Sequence, residues 1–589
     1  MIATEIGDLV TTRILLGTGS GAPATQEVSG EVNVMSVSVY HELNKIPTAI
    51  VKVADGELSD ASFPVGDSGE FALGKSIDIQ AGYNSQDTSL FKGIISSNSH
   101  GLQAGISQLQ MTCKHDVVKM TMGKKNRHFN ELSDSDIVES ILQENGITDL
   151  DVPAFGSTHE QLLQANVSDW DFILSRIDSN GMACRMEGTK FVVFRPDPSL
   201  DAVLTLTYGA DIFSFQSESD IRSQAAEVKF KAWDYANQTV LEASATDAIG
   251  DNAGNFSTSD MAGIHGQGFE VGTPSHLKTE SLQAFADSKK QKMSLSKIRG
   301  KIIFQGTSNV KPGDWIELEG VGEQFTGKVF VSAVRHDIYA GRWMTEANIG
   351  WETDFFTEKV NPSAISAETG QFSRIQGLHI GIVTDIVDPL GEGRVRVRLP
   401  MVNAADAGLW ARVATLDAGN NRGTFFRPEI EDEVIVGFMN DDPSFPVVLG
   451  MLHSSAKPTP FEPGESNDKK GYVSRSEIKI TIHDGDRSIV IETPGGRKFT
   501  MDDEAGIIQV EDAVGNILTM NDSGITCESP QDISVSSSTK ISLAAPEIEI
   551  KADTSVKMEG SASVGVKSGG TTDIEGSMVN VKGSLVKIN

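Results

Sequence analysis

Cysteine is nearly missing from this chain. The three thiols, Cys113, Cys184 and Cys527, lie far apart and show no metal or redox spacing. That argues against a disulfide framework and for folding in a reducing compartment. No run approaches the roughly eighteen apolar residues of a membrane-spanning helix, and the first thirty residues have neither the basic start nor the apolar stretch of a signal peptide. Synthesis in the cytoplasm without a signal peptide is therefore expected. Tryptophan and tyrosine number only six each, few for a head that would grip a receptor through exposed aromatics. Positive charge is in the minority: 50 Lys and Arg face 81 Asp and Glu, giving a net charge of -31. Such a surface repels nucleic acid and anionic lipid at long range, and it also serves solubility in general. Residues 532–589 hold six lysines against seven acidic residues, so the acidic excess lies upstream of a nearly neutral tail.

Catalytic motifs are equally scarce. There is no His-Glu-x-x-His, no zinc-spaced cysteine set and no nucleophile elbow. The glycine run at residues 17–23 lacks the Lys-Ser/Thr that completes a phosphate loop. His483 tempts as a metal ligand on a symmetry axis, but if Ile478, Ile480 and Ile482 point inward it must point outward. His336 and Asp337 read as a satisfied structural pair, and Glu431 and Glu433 as residues of a turn without a pocket partner. No catalytic residue, metal or cofactor is expected.

What is present is a rhythm. Apolar residues recur in pairs two apart: Ile533/Val535, Ile541/Leu543, Ile548/Ile550, Val556/Met558, Val564/Val566, Thr572/Ile574, Val579/Val581 and Val586/Ile588. Consecutive pairs start seven or eight residues apart, with Ser, Gly, Thr and Lys between them. A spacing of two puts both members on one face of a strand, so each unit is one short strand and a turn. Seven or eight residues cannot close a solenoid coil alone, because even a triangular coil needs three strands. Three copies can close it, each supplying one side per level with the pairs inward and no free edge. Eight levels about 4.8 Å apart give a prism roughly 38 Å long. A solvated linker or a single-chain β-roll would use similar residues, but the linker leaves the pairs unexplained.

Upstream, residues 1–360 read as mixed strand and helix. Helices are predicted from Ser133 to Gly146 and from Ser168 to Gly181, where serine caps, apolar stripes and glycine stops coincide, and a third over residues 277–297. Pro312-Gly313-Asp314 reads as a tight turn. Residues 361–375 are a polar linker, 376–453 a compact barrel of short strands, 454–475 a second linker, and 476–589 a collar growing into the shaft.

The segments "SDWDFILSRIDSNGM" and "VKPGDWIELEG", the central block and the shaft repeats together resemble the VgrG-type spikes of contractile injection systems. The central block carries the most specific part of the likeness, in Asp388, Pro389, Gly393, Arg394, Pro400, Trp410, Pro428, Glu429, Asp432, Glu433, Asp442 and Pro443. The resemblance implies a mainly β, multidomain fold: two barrel-like hub domains with a few helices, an OB-fold, and a C-terminal intertwined trimeric triangular β-helix. It implies a non-enzymatic homotrimer under a hexameric inner tube, with baseplate proteins around it. A PAAR-like tip protein is expected on Val586, Lys587, Ile588 and Asn589, with effector cargo and the target envelope as further partners. The entry "IQGLHIGIVTDIVDPLGEGRVRVRLP" is most like spikes of extracellular phage-tail-like particles. Neither a fused effector after Asn589 nor an inserted lysozyme in 454–475 is expected.

Two other function classes stay open on sequence grounds. A trimeric adhesin or tail fibre would carry a ligand-binding head rich in exposed aromatics. A spike with envelope-degrading activity would need an acid and a nucleophile in one cleft.

Overall fold

The computed structural model describes residues 9–588 except 20, 57–61, 104–105, 276 and 361–373. The chain divides into two compact units, residues 1–454 and 455–589.

Alternating apolar residues build the hub of the first unit. In Thr48–Ala54 every second side chain, Ala49, Val51 and Val53, is fully buried. The two barrel-like halves of the hub share strands. One thirteen-stranded sheet runs through both hub halves, because Gly327–Tyr339 pairs with Arg342–Ile349 on one side and, from Ala333↔Glu42 to Tyr339↔Ser36, with Val34–Glu42 on the other. Two cores line it, one around Val39, Ile79 and Met111, the other around Ile302, Phe304 and Leu318. The turn at Pro312 forms as predicted: Gly313 has φ +97°, where a Cβ would also meet the Phe194 ring.

Helices form where the sequence predicts them, packed on one another and on small two- and three-stranded sheets. Asp134–Glu144 starts from Ser133 in a capping box with Asp136, and Ile137, Val138, Ile141 and Leu142 are fully buried. Asp169–Ser179 starts from Ser168, and Thr279–Leu295 packs Leu282, Phe285 and Ala286 against Phe230. A fourth helix, Thr258–His265, was missed, although Ser257 and Asp260 form a capping box there too.

His379–Asp385, Val395–Arg398, Leu409–Val413, Pro446–Met451 and Glu433–Phe438 close into a five-stranded barrel in that order. Val383, Val395, Ala411, Val434, Val436 and Val448 fill it. Most of the expected 361–375 linker lies outside the described residues, but Ile375 belongs to the barrel core and its N–H bonds to Asp441.

In the second unit, seven short strands from Lys469–Val473 to Gly524–Glu528 form an antiparallel meander. The first of them falls in the stretch expected as linker, because Tyr472 pairs with Ile480 and continues its apolar column. Beyond Glu528 the chain has no strand among the described residues.

Candidate functional site: collar face, shaft and hub–barrel clasp

The meander sorts its side chains strictly. Cross-strand partners share a face, and the registers align two columns on one side. The first runs Tyr472, Ile480, Ile491, Phe499, Val510, Leu518 and Cys527; the second runs Ile482, Ile489, Met501, Ile508, Met520 and Ile525. The opposite side carries Thr481, Val490, Thr500, Gln509, Thr519 and Thr526. Beside them runs a charge ladder in which Lys479 pairs with Glu492 at 3.1 Å and Lys498 with Glu511 at 3.4 Å. Yet it is the apolar side that is bare: Ile480 and Ile508 are each 42% exposed, whereas Thr500 is 7% exposed. A sheet with a salted outer face and an uncovered apolar face lacks half of its core. His483 sits on the face opposite Ile480 and Ile482, where it pairs with Asp486 at 3.2 Å.

Beyond the meander the paired residues of the shaft alternate in exposure. Ile533, Ile541, Ile548, Val556, Val564, Val579 and Val586 are 49–56% exposed, while Val535, Leu543, Ile550, Met558, Val566, Ile574, Val581 and Ile588 are 68–91% exposed. The two exposure classes alternate with the sequence pairs, and Thr572 is exposed as well. Among the described residues 530–588 no backbone N–H bonds to a backbone carbonyl. Lys587 is exposed, and Asn589 lies outside the described residues.

Several central motif residues, Arg394, Trp410 and Asp442 among them, lie where the barrel meets the hub. Asp388 opens a turn with Pro389; its carboxylate accepts N–H bonds from Leu390, Glu392 and Arg394, and Gly393 in that loop has φ +77°. Burial works against the charged Asp388, but the Arg394 guanidinium and those N–H groups hold it down at about 2. Arg394, 5% exposed, reaches past Asp388 to Glu160 of the hub at 3.0 Å and lies 5.7 Å from the centre of the Trp410 ring. In the turn before Glu433–Phe438, Asp432 accepts the Glu429 N–H, Pro428 is buried, and Glu433 begins its strand opposite Ile382. Glu431, between them, takes φ +69°. Pro400 follows the strand Val395–Arg398, half-buried. Asp442 and Pro443 are buried, and burial pushes the Asp442 carboxyl up to about 6 even though Arg176 and Ser444 draw it down.

Sequence reading missed the hub strand His159–Val167. Its Leu163 and Ala165 belong to the barrel core, and Gln161 bonds to both the N–H and the C=O of Trp410. His128, from the neighbouring strand, lies 3.4 Å from Asp406 of the barrel. His336 and Asp337 are not a pair. As strand neighbours they face opposite ways, His336 buried against Thr345 and Asp337 accepting from Ser38. Among the described residues no group of three or more His, Cys, Asp or Glu side chains is spaced for a metal, and no helix is long and apolar enough to cross a membrane.

Three family matches cover the chain: the Alg8 N-terminal domain over residues 8–340, the type VI secretion system/phage-baseplate injector OB domain over 379–453, and the phage baseplate V C-terminal trimerisation domain over 488–589. It is 31% identical over 102 residues to the type VI secretion system spike protein VgrG1a of Pseudomonas aeruginosa, an alignment covering 15% of this chain and 16% of that one. To spike protein VgrG3 of Vibrio cholerae it is 25% identical over 140 residues, covering 22% and 12%. These alignments span only a small part of the relatives' lengths. Among solved structures, the lidded Francisella PdpA-VgrG complex shares the fold with a TM-score of 0.52 at 10% identity, over 89% of this chain and 80% of that one.

Proposed function

Because this chain belongs to the Alg8 N-terminal-domain family and is a VgrG-type spike protein, we propose that it works as a non-enzymatic, homotrimeric spike at the tip of a contractile injection machine. The observation that carries this reading is the bare apolar face of residues 472–527 continued by the bare pairs of 533–588. Three such faces, related by a threefold axis, close on one another and leave the Lys/Glu ladder outside. In that arrangement the unpaired backbone of the shaft finds partners in the other two copies, so the shaft is rigid only as a trimer. A rod without edges transmits an axial push, which is what piercing an envelope requires.

The hub then sits under a hexameric inner tube and meets the baseplate proteins, while Val586 to Asn589 form the blunt end that a PAAR-like tip protein caps. The neutral tail can approach an anionic envelope from which the acidic body is repelled. We place the assembled particle outside the producing cell, with effector cargo as passenger. Mass in solution tests the core of this reading. The full chain should have three times the mass of the monomer, and a chain ending at residue 454 should lose most of that association. A monomeric full chain would overturn it, and turnover of peptidoglycan by the pure chain would favour a spike with an enzyme.

A further inference from the structure

A cavity of about 360 Å3 opens where the barrel meets the hub, inside the first unit. Its lining mixes polar side chains with an apolar part that includes Trp233, Leu277 and Phe285 from the hub and Leu390 and Phe445 from the barrel. Cavities of this size at domain junctions, with aromatic side chains and convergent polar groups in the lining, suit small organic ligands.

Two of the polar groups, Arg412 and Lys278, are exposed cations. Arg412 lies over the Tyr235 ring, 4.4 Å from its centre, and makes no ion pair among the described residues. Lys278 lines the same cavity, and its ammonium donates to the Thr158 carbonyl at 2.6 Å. Lys278 is also the N-cap of the seventeen-residue helix Thr279–Leu295 and supplies no side-chain cap, so the first-turn N–H groups of that helix keep their capacity for an anion beside the cavity wall at Ser281. The two acids in the lining are already engaged. Glu160 is held by Arg394 at 3.0 Å, and Glu392 accepts the Tyr235 hydroxyl at 2.8 Å. In a chain of net charge -31, a hollow with aromatic side chains and exposed cations in its lining selects a ligand that is both flat and negative.

We propose that this cavity binds an aromatic carboxylate, its ring between Trp233, Phe285 and Phe445 and its carboxylate against Arg412, Lys278 and the helix start. The same chemistry is offered by a free aromatic acid and by the C-terminal end of a polypeptide that finishes on an aromatic residue.

Calorimetric titration of the full chain with N-acetyl-phenylalanine tests the site. Saturable binding of one molecule per chain is expected, with the uncharged N-acetyl-phenylalanine amide weaker by about tenfold or more, as loss of a charge-assisted contact requires. The double variant Arg412→Ala, Lys278→Ala should show the same loss. Both side chains are exposed, so the variant should keep its fold, which circular dichroism and trimer mass check. A pentapeptide Gly-Gly-Ser-Gly-Phe with a free C-terminus identifies the source: binding as tight as the small acid assigns a chain end, and failure to bind assigns a free acid. Equal binding of acid and amide, unchanged binding by the double variant, or no saturable binding of any probe would overturn the proposal.

Discussion

Gln161 and Trp410 are 249 residues apart and clasp each other: the Gln161 carboxamide accepts the Trp410 N–H at 2.9 Å and donates to the Trp410 carbonyl at 3.2 Å. The same amide donates to the Ser444 carbonyl at 2.9 Å. One hub side chain thus imitates a strand neighbour for the barrel. It satisfies backbone groups that neither domain satisfies alone.

Gln161→Leu keeps the volume and removes every one of these bonds. Leaving the Trp410 groups unpaired should cost about 1–3 kcal/mol. Calorimetry of the chain ending at residue 454 should show the melting temperature falling, with barrel unfolding beginning to separate from hub unfolding. An unchanged melting curve would mean that Leu163 and Ala165 alone hold the domains together.

Acid should loosen the hub through His336. Burial holds its imidazole down at about 3, with His41 nearby acting in the same direction. The folded pKa lies below the unfolded one, so the fold binds the neutral ring. Stability is therefore complete above about pH 6.5 and falls as pH drops toward 3, by up to about 1.4 kcal/mol per pH unit for each such group. Burial lowers His41 and His115 as well. His336→Gln should flatten the slope between about pH 6 and pH 4 by one proton's worth, as read by urea unfolding at a series of pH values.

Asp388 should steepen the loss at still lower pH. Its folded pKa of about 2 lies below the unfolded value, so its contribution is present above about pH 4 and disappears as pH falls toward 2. Asp388→Asn removes that limb and strips buried Arg394 of its nearest partner. The cost at neutral pH should be about 3 kcal/mol, smaller to the extent that Glu160 compensates.

How much of this could be read from the chain depends on the range of each interaction. The helix starts at Ser133 and Ser168 were legible because a cap is a contact across three residues. The Thr258–His265 helix carried the same signal in Ser257 and Asp260, and went unread for want of an apolar stripe behind it. The shaft pairs stand out in the sequence because a repeat announces its own period, and their role as a trimer core belongs to the proposal. Gln161 was not, since nothing near it in sequence marks a partner 249 residues on. Nor was the joining of the hub halves into one sheet, which rests on the pairing of Ala333–Tyr339 with Ser36–Glu42. The collar strands were foreseen, but their sorting into an apolar and a salted face emerges only from the cross-strand register.

The shaft offers a test in both directions. Val564→Asp would set three carboxylates against the axis of the proposed trimer, where burying unpaired charge is prohibitive. The SDS-resistant trimer should disappear. Thr572 is the one polar member of the sixteen paired positions, so Thr572→Val should raise the temperature at which the trimer dissociates. If neither variant changes SDS resistance, the register of the repeats is wrong.

The collar separates burial from charge most cleanly, because one strand supplies both faces. Lys498 and Met501 lie three residues apart in the strand Lys498–Asp502, on opposite sides of the sheet. Met501→Glu would put a carboxylate on the apolar column between Ile489 and Ile508, and in a closed trimer three such groups would be buried without partners. Lys498→Ala removes only a half-buried ion pair with Glu511 on the polar face, worth about 1 kcal/mol or less. Light scattering should therefore find Met501→Glu largely monomeric and Lys498→Ala trimeric at the same concentration. If the ranking were reversed, the salted face would be the one that meets the other copies, and the apolar columns would have to be covered by something other than this chain.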